Sequence, residues 1–400
     1  MSKKISIPAA IALIALCCIL TFQITFLTVS RKYEKETDRQ ELSASVYEKL
    51  NSVDEIYRSK FIGEIDEEQL EDYLIRGYVV GAGDKYASYM TADDYAQVLM
   101  DYSGSLVGIG VHVVFNGDYG AIEVISVVKD SPAEVAGMLP GDLIVSVEGE
   151  SVSDLGYYPA IAKVKGEEGT VVRLTVLRGE NASETMNFSI VRAVIEDPSV
   201  TFRMYDSKIG IVEISQFISE TGKEVKDAVQ QLQNQGAEKL VFDLRYNPGG
   251  LLSAITETLD FLLPEGPIVR IYDRDNNENV YYSDASEVDL PICILVNGST
   301  ASAAELFTSA LRDYNKATVI GTTTYGKGTV QYLTVFSDGS ALYYSGALYS
   351  PPFSDNFEGV GIVPDVVVEP DEVMQSKNFY KLTDEEDNQL QAAIKHLNSN

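Results

Sequence analysis

Two residues have the type and surroundings for covalent chemistry. Ser302 follows an apolar run, Pro291 to Val296, and opens a segment in which Leu306, Phe307, Ala310 and Leu311 recur at helical spacing. A serine at a helix start sits beside free backbone N–H groups and the positive end of the helix dipole. Both favour negative charge developing near its oxygen. The same address also suits a plain N-cap. Lys327 lies 25 residues further on, between Gly326 and Gly328, which permit close approach of a neighbouring backbone. A lysine acts as a base only when its pKa is lowered, chiefly by removal from water. A buried, unpaired Lys327 near Ser302 would make a nucleophile and base; a solvated Lys327 would be an ordinary turn lysine.

Other chemistries are poorly served. The two histidines are His112, in an apparent strand of a separate module, and His396, four residues from the end of the sequence. A Ser-His-Asp triad, a cysteine protease or a His-based zinc hydrolase would need one of them. Cys17 and Cys18 lie in the apolar N-terminal run and Cys293 in a buried-strand pattern, which gives neither a disulfide framework nor zinc-ligand spacing. The site is therefore expected to hold no metal and no cofactor. Gly321-x-x-x-x-Gly326-Lys327 nearly spells a P-loop, but Gly328 stands where Ser or Thr should meet the metal. The following Thr329 to Phe336 reads as strand where a P-loop needs a helix. The formal net charge of −29 speaks against nucleic acid as a partner.

The elements that must hold Ser302 and Lys327 alternate in type. Strands are expected at Ile209 to Ile214, Leu240 to Leu244, Pro291 to Val296 and Ala317 to Ile320. Helices are expected at Gly222 to Gln235, about Ser253 to Phe261, and Ser302 to Asp313. This alternation predicts an α/β core with a mostly parallel layered sheet. Sites in such cores favour loops at the carboxyl ends of strands. A final amphipathic helix is expected over Thr383 to His396.

Upstream the texture changes to short strands. From about Leu106 to Arg178 the chain resembles a PDZ domain. The resemblance rests on Val107-Gly-Ile-Gly-Val111, Ser131-Pro-Ala133, Ala136-Gly137, Pro140-Gly-Asp-Leu-Ile144 and Gly166-Glu-Glu-Gly169. Ser131 followed by Pro132 starts a short helix that stops at Gly137. In such a module an extended peptide adds to an exposed strand edge, and glycines let backbone N–H groups converge on a terminal carboxylate. Val107, Gly108, Ile109, Gly110 and Val111 are the expected peptide-binding residues, for tails ending in an apolar side chain.

Residues 43–78 read as a small helical region, with a second helix from Asp66 to Tyr78. It would serve as a spacer or as the contact of a homodimer. Ile5 to Val29 carries no charge and is long enough to span a bilayer, with Lys3 and Lys4 before it and Arg31, Lys32 and Lys35 after. A signal anchor is expected over a cleaved signal peptide, because Thr28-Val-Ser30 is a poor cleavage site.

Together these residues resemble the C-terminal processing peptidases, serine proteases with a Ser-Lys pair, a PDZ domain and an α/β core. Ser302-Ala-Ala-Glu305 matches the nucleophile segment, Gly326-Lys327-Gly328 the base segment, and Gln331 the glutamine that follows. Asp243-Leu-Arg-Tyr-Asn-Pro-Gly-Gly250 and Gly359-Val-Gly-Ile-Val-Pro-Asp365 are further signatures. The resemblance implies Ser302 as nucleophile, Lys327 as general base and Gln331 as its orienting residue, with a bend near Gly328. It implies an oxyanion hole from the N–H groups of Gly250 and Ala303. It also implies a soluble part on the extracytoplasmic side of the cell membrane, or secreted if the N-terminal segment is cleaved. The expected division is 1–30 anchor or signal, 31–92 helical region, 93–190 PDZ-like domain, 191–370 protease core and 371–400 helical tail. The alternative is a non-catalytic PDZ scaffold or sensor at the membrane.

Overall fold

The computed structural model describes residues 44–102, 105–117, 119–179 and 182–399. The apolar run Ile5 to Val29 lies outside them. Among the described residues no helix is long and apolar enough to cross a membrane.

The chain forms two compact units, Met1–Tyr73 and Leu74–Asn400. In the first, a helix over 44–60 leaves Val46, Leu50, Val53, Ile56 and Tyr57 exposed along one stripe. Arg58 closes its end by bonding Asp54 and Glu67. The next helix, Glu67–Gly81, runs three residues beyond the expected end.

In the second unit, a six-stranded sheet has the order Val200–Met204, Ile209–Ile214, Lys239–Asp243, Ile292–Val296, Ala317–Gly321, Val366–Val367. Its first pairing is antiparallel and the rest are parallel. Residues alternate between two apolar layers. Phe242, Ile292, Ile294 and Val296 face one side, with Val225, Leu259 and Phe307 from the helices Thr221–Asn234, Leu252–Leu262 and Ala303–Asp313. Val241, Cys293 and Leu295 face the other, with Leu390, Ala393 and Leu397 of the helix Asn388–Ser399. Coverage on both faces explains why Ile292–Val296 is buried at every position. The last helix starts at Asn388, because Asp387 caps it by accepting from the N–H groups of Gln389 and Leu390.

The expected mostly parallel layering needs correction. A second core sheet of five strands, Ser88–Met90, Gly266–Asp273, Glu278–Ser283, Thr329–Val335 and Ala341–Ser350, is antiparallel throughout. Two of its links are too short for anything else. Residues 274–277 and 336–340 can only reverse the chain, with Asn276 and Gly339 at positive φ.

The PDZ-like stretch forms its own antiparallel six-stranded sheet and its own apolar core around Ile122, Val124, Ile144, Val172 and Leu174. Ser131 caps the helix Pro132–Ala136, and Gly137 ends it in the left-handed conformation. The strand-like run Leu106 to Val114 is not continuous. It breaks at Ile109–Gly110, where Gly110 has φ 82° and a Cβ would stand 2.3 Å from that of Ser131. Val107 and Gly108 pair with Val194 and Ala193 in a separate ribbon. Ile109 is 2% exposed inside the module. Val111–Asn116 forms the sheet's edge, and Tyr157, from the helix Tyr157–Val164, donates to the carbonyl of Val113 at 3.1 Å.

Candidate active site

Ser302 stands at the turn between the buried strand Ile292–Val296 and the helix Ala303–Asp313, with φ 57° and ψ −120°. Few non-glycine residues adopt that conformation, so the surroundings must impose it. They do so through three anchors. Thr300 Oγ1 donates to Leu244 O, Ala301 N to Asn247 O, and Tyr325 N to Thr300 O.

The Asp243 to Gly250 loop is clamped against this turn. Asn247 donates its amide to Ile214 O and accepts from Gly249 N, each at 2.8 Å. A Cβ on Gly249 would lie 2.7 Å from Ser302 Cβ and 2.8 Å from Ala303 N, so glycine is what lets the two backbones meet. At Gly250, φ is 148° and a Cβ would stand 2.0 Å from Phe217 O. Among the described residues the N–H groups of Gly250 and Ala303 have no acceptor. Gly250→Ala is expected to lower stability by about 3 kcal/mol, seen as a fall in the urea midpoint at unchanged slope. Behind the loop, Arg245 is buried between Asp243 and Asp387, bonding the first at 2.5 Å and the second at 2.6 Å. This accounts for the Asp-x-Arg part of the motif: it ties the loop to the segment ahead of the last helix.

Glu305 joins Ser302 to Lys327. Its side chain is wholly buried, and its carboxylate accepts four hydrogen bonds. Oε2 takes the N–H of Ser302 at 2.9 Å and of Lys327 at 2.8 Å. Oε1 takes Thr324 Oγ1 at 2.5 Å and the N–H of Gly326 at 2.7 Å. Burial pushes the Glu305 carboxyl above its ordinary value, and these donors pull against it. The Gly359 to Asp365 motif supports the same loop. Ile362 N donates to Thr324 Oγ1, Gly359 N to Gly326 O, and Asp365 accepts from Val319 N.

Lys327 is half-buried, and loss of hydration lowers its pKa against the opposing pull of Glu358, Asp84 and Glu305. Tyr349, 4% exposed, donates its hydroxyl to Lys327 O at 2.6 Å. Burial raises the Tyr349 phenol well above its ordinary value, and the Ser302 hydroxyl beside it works the other way. Tyr349 thus stands between the Ser302 side chain and the Lys327 backbone. Among the described residues no hydrogen bond joins the Ser302 hydroxyl to the Lys327 amine, which instead lies over the ring of Tyr86, 4.6 Å from its centroid. Gln331 does not orient Lys327 here. Its amide donates back to Thr329, at 2.8 Å to Oγ1 and 3.3 Å to the carbonyl. The expected bend near Gly328 is displaced as well: the strand's irregularity falls between Val330 and Gln331.

Ser302 opens onto a cavity of about 450 Å³ with walls from Leu252, Ile255, Leu306, Val330 and Tyr343, and from Val98 on the helix Ala92–Tyr102. Gly250, Ala303 and Gln331 also line it. A larger cleft of about 1450 Å³ lies between the PDZ-like edge strand and the core and does not include Ser302. Neither histidine borders the Ser302 cavity. His112 pairs with Asp197 at 3.3 Å, and His396 meets Thr318 Oγ1 at 3.2 Å. The P-loop alternative fails on its second half, since Gly328 leads into the strand Thr329–Val335.

Sequence reasoning took Glu305 only as a motif letter and missed Tyr86 and Tyr349. The Ser-x-x-Glu capping pattern was a usable signal for Glu305. Nothing local marks the tyrosines, which arrive from distant strands and turns.

Residues 208–368 match the model of peptidase family S41, and residues 123–178 match a PDZ domain. A probable CtpA-like serine protease of Staphylococcus aureus is 34% identical over 376 residues, covering 91% of this chain and 74% of the relative. One of Staphylococcus saprophyticus is 33% identical, covering 87% and 72%. Among solved structures, the photosystem II D1 C-terminal processing protease is 27% identical with a TM-score of 0.50, covering 82% of this chain and 88% of that one. A putative S41 protease from Bacteroides fragilis shares the fold, at 18% identity and a TM-score of 0.58, covering 85% and 92%. With a strained serine at a helix start, a desolvated lysine on the adjoining loop and kinship of this extent, the chain belongs to peptidase family S41 and is a serine peptidase of the C-terminal processing type.

Proposed function

We propose that the protein cleaves peptide bonds by acyl-enzyme chemistry with Ser302 and Lys327. Neutral Lys327 takes the Ser302 hydroxyl proton as the oxygen attacks the scissile carbonyl, and the new ammonium then protonates the leaving amine. Water, deprotonated by the same amine, releases the acyl group and restores the serine. The N–H groups of Gly250 and Ala303 receive the oxyanion. The cavity beside Ser302 takes an apolar side chain next to the cut bond. The observation that carries this reading is the single Glu305 carboxylate shared by the backbones of Ser302 and Lys327.

The PDZ-like module captures a C-terminal tail at the Val111–Asn116 edge, with the backbone of residues 107–111 facing the terminal carboxylate. The part-buried Val113 carbonyl accepts from the Tyr157 hydroxyl, so an arriving strand displaces that tyrosine. The enzyme works on the extracytoplasmic face of the membrane, held by the Ile5 to Val29 segment. Incubation with bacterial envelope proteins, followed by mapping of new C-termini, tests the activity. A phosphonate that labels wild-type protein equally well as Ser302→Ala would end the serine assignment.

A second copy is the partner for the 44–60 helix. Its charged residues, Glu48, Lys49, Asp54, Glu55, Arg58 and Lys60, cancel within a chain of net charge −29, so two copies meet there without like-charge repulsion. Leu50→Glu combined with Ile56→Glu is expected to turn a sedimenting dimer into monomer. A wild-type monomer at micromolar concentration would dismiss the dimer.

A further inference from the structure

The lysine that must act as a base is held by a residue outside all the motifs above. Asp84 makes a turn by accepting from the N–H of Tyr86, and its carboxylate also takes the N–H and hydroxyl of Ser345 on the strand Ala341–Ser350. That anchor fixes Tyr86 with its ring face toward Lys327 Nζ, 4.6 Å away. Among the described residues Lys327 Nζ has no hydrogen bond and no ion pair within 4.0 Å, and the Tyr86 ring is the group it lies against. The groups acting on the amine are the carboxylates of Glu358, Asp84 and Glu305 and the ammonium of Lys85, with the Tyr86 ring against it and the Tyr349 hydroxyl on the Lys327 carbonyl. Each nearby carboxylate is already engaged. Glu358 holds Lys85 at 3.1 Å and the N–H of Gly328 at 2.7 Å; Asp84 holds Ser345; Glu305 holds the two catalytic backbones. Lys85 lies against the same ring, also at 4.6 Å, but has Glu358 as its counter-charge.

We infer that Tyr86 is a positioning residue for Lys327: its ring face keeps the protonated amine in a resting place off Ser302 and lets it go when it becomes neutral. The physics is selective for charge. The ring quadrupole attracts an ammonium and has little hold on an amine. Loss of the proton to the water that reaches this half-buried side chain removes the attraction, and the free amine turns to the Ser302 hydroxyl. No step beyond that one proton transfer to solvent is required. Tyr86 takes no part in proton or acyl transfer; its ring meets the amine of Lys327 and its hydroxyl donates to Glu358 at 3.4 Å, and it acts on the reaction through Lys327. This inference rests on the reading of Lys327 as general base.

The test is the pH dependence of kcat/KM, which reports on the free enzyme, measured on a peptide with an apolar residue before the cut bond. It uses the whole protein, unaltered and as Tyr86→Phe, Tyr86→Leu and Lys327→Ala. Tyr86→Phe keeps the ring and is expected to keep the acid limb of the wild type. Tyr86→Leu is expected to move that limb about one pH unit lower, with a corresponding rise in rate on the acid side. If Tyr86→Leu does not fold, phenylalanines with increasing ring fluorination at position 86 keep the shape and weaken the ring face; the limb should then move down stepwise. An unmoved limb in Tyr86→Leu or across the fluorinated series overturns the inference, whatever happens to the rate. Lys327→Ala separates the two failures. If that variant stays active, the base assignment is wrong; if it is dead and the Tyr86 limb does not move, only the resting place is wrong.

Discussion

Lys327→Ala is expected to lower kcat/KM about 10⁴-fold, with the affinity for a tail peptide unchanged. The size follows from the part proposed for the amine. Without it the Ser302 hydroxyl must lose its proton unaided and the leaving amine must depart unprotonated, while substrate binding and the oxyanion hole still contribute. The pH profile carries a second signature. Burial lowers the Lys327 pKa, so the neutral, active form gains population at lower pH than an ordinary lysine would allow. Activity in the wild type should therefore rise with pH through that lowered pKa and then level. Lys327→Ala should lose this rise along with the rate. Isothermal titration with a tail peptide, run beside the kinetics, checks the split between binding and chemistry. Residual activity within tenfold of wild type would mean that another group takes the proton.

Glu305→Ala has the next largest expected effect, for a different reason. It removes a wholly buried acceptor from four donors: the buried N–H of Gly326 and hydroxyl of Thr324, and the part-buried N–H groups of Ser302 and Lys327. Each buried orphan costs about 1–3 kcal/mol where water cannot replace the partner. Local rearrangement is expected to recover part of that sum, leaving a net loss of about 4 kcal/mol in stability and a fall of at least 10²-fold in kcat. Glu305→Gln keeps one acceptor oxygen but turns an NH2 toward N–H donors, so it should fall between wild type and alanine on both measures. Urea melts with parallel kinetics check this ordering. A Glu305→Gln variant equal to wild type in both would show that the carboxylate bonds do not hold the site.

Most elements of the core were legible because their apolar residues alternate or recur cleanly. The strand Ile209–Ile214 stands where it was expected, and the helix Ala303–Asp313 starts one residue after Ser302. Of the second sheet only Thr329–Val335 was read as strand; Gly266–Asp273 and Glu278–Ser283 mix tyrosine, asparagine and charge, which blurs any period. The site was half legible. Ser302 and Lys327 declare themselves by type, neighbours and resemblance. The Tyr86 ring and the Tyr349 hydroxyl reach Lys327 from turns and strands that only the folded sheet brings near. Gln331 shows the reverse failure. Its place in the motif suggested a partner, whereas a strand irregularity at Val330 accompanies its bonding to Thr329.

The dihedrals of Ser302 have a consequence for endurance. Values of 57° and −120° belong to the first central position of a type II′ turn, which glycine occupies without cost and a side chain enters at a penalty of roughly 1–3 kcal/mol. Selection for resistance to heat alone would therefore install glycine at this position and gain a sturdier, inert fold. The hydroxyl is kept at a strained point of the backbone, so longevity and turnover pull this one residue in opposite directions.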